Sequence, residues 1–190
     1  MTTLSLDFET YCDLDIGDVG LDNYVRHPSF EVLLCAWAVD DQSVHLWSPA
    51  EGEPMPEPLR ILLFDSSVLL RAFNAPFEQE TLRHGLRIDT VDTRWRCTMV
   101  EAYAASFTGG LEEVGAQIGL PQDKRKIAEG RRLIHRFCKP APRNHKARRY
   151  THETHPEEWA RFREYCRQDV VAEREIARRL AVIQPMEPRA

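Results

Sequence analysis

The chain opens on strict alternation. From Leu4 to Glu9 the residues Leu-Ser-Leu-Asp-Phe-Glu place apolar and polar side chains on opposite sides, the two-residue period of a strand with one buried face. Phe30 to Val39 is a longer apolar run rich in aliphatic and aromatic residues and predicts a second strand, with Ser43 to Trp47 returning as its hairpin partner. Prolines at 49, 54, 56 and 58 mark Ala50 to Pro58 as a loop. Beyond it, Leu59 to Phe64 predicts a short helix, Val68 to Phe73 a strand, and Phe77 to His84 a helix opened by the turn Asn74-Ala-Pro.

From Arg94 the spacing becomes helical. Trp95 to Ala105, Leu111 to Ile118 and Lys124 to Phe137 are the expected helices, separated by Gly109-Gly110 and Gly119-Leu-Pro121. Pro140 to Pro156 reads as an exposed, proline-bounded loop, and Glu157 to Ile183 carries apolar residues at helical intervals. Strands first and helices afterwards, with one strand–helix unit between, predict an α/β domain with a mixed central sheet flanked by helices and a largely helical second half. A chain of 190 residues can bury roughly 70% of its unfolded surface in one core. The expected domain is therefore 1–184, with 185–190 as a tail or the start of a linker.

Composition narrows the function. No apolar stretch approaches the ~20 residues a bilayer span needs, and the start lacks the basic and apolar regions of a signal peptide, so a cytoplasmic protein without membrane contact is expected. Cys12, Cys35, Cys97, Cys138 and Cys166 are scattered, with no C-x-x-C spacing, which disfavours a disulfide framework and a structural zinc site. They read as small hydrophobes. Any catalytic metal is then expected to be a hard cation on oxygen ligands, Mg²⁺ or Mn²⁺. The net charge is −5, yet Lys124 to Arg149 holds eleven Lys or Arg and one acid, Glu129, so that segment carries +10 and the rest −15. One region could meet phosphates while another holds metals, although a solvated helix face with a basic loop gives the same pattern.

Three short segments carry candidate chemistry. Asp7 and Glu9, two apart on a strand, project from one face and can share a cation. Acid-x-acid also occurs at 13/15, 51/53, 78/80 and 173/175, so spacing alone is weak; the apolar context of Asp7 and Glu9 is what sets them apart, and an edge strand with solvated acids remains the alternative. Glu78 lies in Asn74-Ala-Pro-Phe-Glu78, where a strand meets a helix. An acid in a first helical turn is also stabilised by the dipole alone. Tyr165 and Asp169, spaced i and i+4, share a face of the last helix with Phe162 and Val170 nearby.

Taken in this order, the segments resemble a known family. Leu6-Asp-Phe-Glu-Thr10, Asn74 to Leu82 and Tyr165 to Asp169 are similar to the three motifs of DEDD-type 3′→5′ exonucleases of the ribonuclease H-like fold. In particular the chain is similar to the proofreading exonuclease domain of bacteriophage-type family A DNA polymerases. Trp95-Arg-Cys-Thr98, Leu111-Glu-Glu-Val114 and Gly130 to Pro140 add to it. The resemblance implies Asp7, Glu9, Glu78 and Asp169 as ligands of two divalent ions and Tyr165 as the residue aligning the attacking water. The second motif has Glu78 where the superfamily generally has Asp. The histidine subclass would place His where Glu164 stands, so the tyrosine subclass is implied.

For the substrate, Phe8, Thr10, Asn74 and Phe77 flank the acids and are expected to meet the terminal nucleotide, with aromatic stacking as a sequence-tolerant contact. Arg143, Lys146, Arg148 and Arg149 are expected to track phosphates or to face a polymerase domain. The expected partners are a single-stranded DNA 3′ end and a DNA polymerase domain or subunit. Two rivals stay open: an RNA-trimming enzyme of the same superfamily, and a nucleic-acid-binding module whose exonuclease fold has lost activity.

Overall fold

The expected alternation places the first strand at the centre of the molecule. In the computed structural model, which describes residues 1–121 and 129–183, strand β1 (Thr3–Tyr11) sends Leu4, Leu6 and Phe8 into one core and turns Ser5, Asp7 and Glu9 to the opposite face. Strand β2 (Glu31–Val39) pairs with it antiparallel and β3 (His45–Trp47) extends that side. On the other side β4 (Leu69–Ala72) pairs parallel with β1, and β5 (Trp95–Cys97) pairs parallel with β4. The result is one five-stranded mixed sheet in the order β3-β2-β1-β4-β5.

A register shift interrupts the β1–β2 ladder beside the acids: Glu9 pairs with Leu34 and Thr10 with Val32. Leu33 is the extra residue. Leu33 and Leu34 accordingly both join the core beneath the long C-terminal helix, whereas Val32 and Cys35 join the other core. A bulge of this kind bends a strand and re-aims its side chains.

Helices α2 (Glu57–Phe64), α3 (Ala75–Gly85), α5 (Leu111–Gln117) and α6 (Gly130–Phe137) lie where the apolar spacing places them. Of the helix expected from Lys124, residues 124–128 fall outside the described part, as does the expected tail at 185–190. Helix α7 (Pro156–Ile183) has 28 residues and is about 42 Å long. Its buried stripe runs through Trp159, Phe162, Tyr165, Cys166, Asp169, Val170, Glu173, Ile176 and Leu180, and it packs across β1 and β2. No described helix is long and apolar enough to cross a membrane.

Two elements differ from expectation. The helix predicted for Trp95 to Ala105 is strand β5 followed by α4 (Thr98–Ala104). Three residues are too short to show a period, and the strand exists because β4 offers it an edge. Arg94 fixes its start by donating to the carbonyls of Leu62, Leu63 and Val68. Helix α1 (Ile16–Arg26) was not foreseen. It fully buries only Tyr24 and Val25, with Val19 and Leu21 packed beside them, and it contains Gly17 and Gly20, the latter at φ 77°, so helix-breaking glycines mask its short apolar side. Its start is set by Asp15, whose carboxylate accepts from the Gly17 N–H at 2.9 Å.

Candidate active site

Beyond Ser5 the sheet parts, because β4 pairs only with Thr3, Leu4 and Ser5 while β1 runs on to Tyr11. The first turn of α3 enters that gap. The Phe8 N–H, beyond the end of the β1–β4 ladder, donates to Glu78 Oε2 at 3.1 Å. Helix α7, crossing the other face, brings Tyr165, Cys166 and Asp169 over Asp7 and Glu9. The three segments therefore meet at the carboxyl ends of β1 and β4, around a pocket of about 360 Å³.

All five residues expected to carry the chemistry border that pocket: Asp7, Glu9, Glu78, Tyr165 and Asp169. Three of the carboxylates are nearly inaccessible, with Glu9 at 8% exposure and Glu78 and Asp169 at 4%. Burial, then the charge of Asp7, with further contributions from Glu9 and Asp169, pushes the Glu78 carboxyl well above the usual range, against the stabilising Phe8 N–H. Burial likewise raises the Tyr165 phenol far above its ordinary value, assisted by Glu9, Asp169 and Asp7 and by its hydrogen bond to the Asp169 carboxylate. Tyr165 is a neutral donor.

Oxygen atoms of Asp7 and Glu9 and the Cys166 sulfur lie within 4.8 Å of one another. Oxygen ligands 2.0–2.6 Å from a single ion are at most about 5 Å apart, so the Asp7 and Glu9 oxygens are close enough to share one cation. Charge and donor type agree, because four carboxylates converge on one pocket and three of them are buried, where a cation offsets their mutual repulsion. The residues fit a hard divalent metal.

The cysteines require a correction. Cys35 is an ordinary core residue, but Cys166 directs its thiol at Asp7 Oδ2 (3.8 Å) and Cys138 at Glu9 Oε2 (3.7 Å). Burial, with Asp7 beside Cys166 and Glu9 beside Cys138, raises both thiols, so they remain S–H and act as weak donors to the acids. The oxygen-ligand expectation is compatible with these protonated thiols.

Of the residues expected to meet substrate, Asn74 is exposed at the pocket edge and Phe77 is half-buried there. Thr10 is buried, its hydroxyl 3.0 Å from the Tyr24 hydroxyl. Phe8 borders the pocket, but the residue is only 4% exposed and its ring packs with Leu4 and Leu6 in the core below the sheet, because it alternates away from Asp7 and Glu9, which corrects its expected stacking role. Sequence reasoning missed Leu14, Ile16 and Tyr24 on the α1 side of the pocket and Ile134, Cys138 and Lys139 on the α6 side. Lys139 joins the two walls through a 2.5 Å ion pair with Asp15. Ile134, Cys138 and Lys139 all lie in the segment 130–140 that carried part of the resemblance; α1 gave no comparable signal.

Much of the basic segment is already occupied. Arg132 and Arg136 pair with Glu158 of α7, and Arg149 pairs with Glu31 at 2.5 Å while lying 3.9 Å over the Tyr11 ring. Arg143, Lys146 and Arg148 are exposed, the last 3.4 Å from Asp13.

The architecture has counterparts among solved structures. One described as the apo form of a nuclease superposes with a TM-score of 0.57 over 95% of this chain and 72% of that chain, at 15% identity. The family B DNA polymerase of Pyrobaculum calidifontis superposes with a TM-score of 0.51 over 93% of this chain and 24% of that one, at 14% identity. These likenesses speak for the fold, which is the α/β, ribonuclease H-like class expected from the sequence. In sequence, a DNA polymerase of Bacillus phage SP02 is 36% identical over 190 residues, 98% of this chain. The chain spans 29% of the length of that relative. No family model matches the sequence.

Proposed function

We propose that this chain is a metal-dependent 3′→5′ exonuclease that removes nucleotides from single-stranded or frayed DNA ends as nucleoside 5′-monophosphates, in the service of a DNA polymerase. The observation that carries the reading is the convergence of Asp7, Glu9, Glu78 and Asp169 from three separate elements on one pocket, with the neutral Tyr165 phenol among them. The sequence relative named a DNA polymerase supports the association with replication. The resemblance of the three motifs supports the 3′→5′ direction.

Asp7, Glu9, Glu78 and Asp169 would hold two Mg²⁺ or Mn²⁺ ions. Such a pair, when bound, supplies hydroxide at neutral pH and neutralises charge on the leaving 3′-oxygen. The chain's own residues do the rest. Tyr165 keeps its proton, so it orients the attacking water through its hydroxyl and does not abstract a proton from it. Phe77 offers a partly exposed ring to the terminal base, and Asn74 a polar side chain beside it. The pocket volume is at the low end of the ~300–1,000 Å³ of small-ligand sites, which favours one unpaired nucleotide over a paired end.

The test is digestion of 5′-labelled DNA and RNA strands of one sequence, with and without Mg²⁺, alongside primers with matched and mismatched 3′ termini. Stepwise shortening from the 3′ end, faster at a mismatch, with DNA preferred and dependent on the cation, is expected. Undiminished cleavage in excess chelator, or release of the 5′ label first, overturns the proposal. RNA as the preferred strand would transfer the same chemistry to RNA trimming.

A further inference from the structure

The Tyr165 ring is 1% exposed and closely bounded. Phe162 stacks on it at 6.2 Å between centroids and 7° between planes, and the hydroxyl is tied to Asp169. Against the ring stands Gly130, at the beginning of α6. A Cβ added there would fall within 2.7 Å of three Tyr165 ring atoms, Cδ2, Cε2 and Cζ.

Neither side can readily give. The ring is held by the fully buried Phe162 behind it and by its hydroxyl's hydrogen bond to Asp169, so moving away from Gly130 means leaving both for the pocket. Helix α6 is anchored by Leu133 and Phe137, both at 0% exposure, and by the Cys138 carbonyl, which accepts from the Cys12 N–H at 3.3 Å. Backbone conformation does not explain the glycine, since Gly130 is absent from the positions with positive φ. Nor does capping explain it, since Gly130 is the first residue inside α6, after the N-cap Glu129. The close approach to the tyrosine is the remaining reason for hydrogen at this position.

We propose that Gly130 is a positioning residue: by letting α6 lie directly against the Tyr165 ring, it fixes where the phenol oxygen stands relative to Asp169, Asp7 and Glu9. The inference rests on the proposed exonuclease reading for its consequence in turnover, and on the contact alone for its consequence in structure.

The experiment compares Gly130→Ala, Tyr165→Phe and the double variant of the full chain. For a 5′-labelled single strand, Gly130→Ala is expected to lower kcat by about 10–10³-fold, as lost positioning does, with KM within about twofold. Added to Tyr165→Phe, it should cost less than about threefold more, because the hydroxyl through which it acts is already gone. Carbon-13 labelling of the tyrosine rings gives a readout independent of cleavage. Of the five tyrosines, the signal missing in Tyr165→Phe should move in Gly130→Ala. A wild-type kcat with an unmoved Tyr165 signal overturns the proposal, as does a fully additive double variant. Should the wild-type chain cleave neither DNA nor RNA, the exonuclease reading fails while the ring signal still decides the contact. If Gly130→Ala does not fold, Gly130→Ala/Tyr165→Leu decides: recovery of the fold supports the contact and continued unfolding overturns it.

Discussion

Asp169 and Glu173 stand one turn apart on α7, at 4% and 3% exposure, and they face β1 at Asp7 and Ser5, two residues apart on one side of the strand. The two layers differ in what surrounds the carboxylate. Glu173 accepts from the Thr98 hydroxyl at 2.5 Å with Ser5 close by, and Arg71, itself paired with Glu101 at 2.6 Å, supplies positive charge. Around Asp169 stand Asp7, Glu9 and Glu78, two thiols and a phenol, at a pocket. A buried carboxylate needs compensation wherever it is. In the Glu173 layer the fold surrounds the acid with a hydroxyl and a guanidinium of its own, so that cluster ties α7 to β1 and α4; the Asp169 layer gathers four acids at a pocket, where under the proposed function divalent cations would offset their mutual repulsion.

The largest contrast is expected from removing one acid of the open layer. Asp7→Ala should reduce cleavage on the order of 10³-fold or more, about 4 kcal/mol in the barrier, while the Tm of the metal-free protein holds or rises as repulsion is relieved. Activity assays paired with thermal melts in chelator check both halves. Normal cleavage would remove Asp7 from the site, and a steep fall in Tm would put it in the same structural class as Glu173.

Arg71→Ala is the converse. It strips the guanidinium from the closed layer and is expected to cost about 3 kcal/mol of stability, at the low end for a broken buried pair because Arg71 retains some exposure. Urea unfolding measures the loss. The Mn²⁺ concentration for half-maximal rate should stay at the wild-type value in the folded protein; a raised requirement would mean that the two layers are not separate.

Tyr165→Phe tests positioning inside the open layer. A loss of about 10–10³-fold is expected with metal dependence unchanged, since the ring's packing and all four carboxylates remain. A rate equal to wild type would make the tyrosine a core residue only, and a shifted Mn²⁺ requirement would make it part of ion binding.

The smallest effect is a pH slope. Burial, opposed by Thr98, Arg71 and Ser5, leaves the Glu173 carboxyl raised above its ordinary value near 4.5. Between that value and the raised one the folded state binds more protons than the unfolded state. This contribution to stability is full at low pH and is lost as pH rises through the folded value. Glu173→Gln carries no titrating proton and should flatten the decline. Melts of both proteins from about pH 4 to about pH 7 give the comparison, and an unchanged slope would contradict the assignment.

The acids were legible because each belongs to a short local pattern: Asp7 and Glu9 to an alternating strand, Tyr165 and Asp169 to a helical interval, Glu78 to a strand–helix junction. The same local patterns determined β1, β2, the helices from α5 onward and the mixed α/β class. What they could not specify is the partner of each buried face. Strand β5 took three residues of an expected helix because β4 offered an edge, and α1 formed across two glycines because Tyr24 and Val25, with Val19 and Leu21, had a place to pack. Tertiary structure turned the Phe8 ring into the core, aimed the thiols of Cys138 and Cys166 at Glu9 and Asp7, and set Gly130 against Tyr165. Periodicity along a chain records which side of an element is buried, since that depends on residues a few positions apart. Which atom meets which across elements depends on the crossing and register of segments up to 159 residues apart, as with Cys166 and Asp7, and only the packed structure sets those.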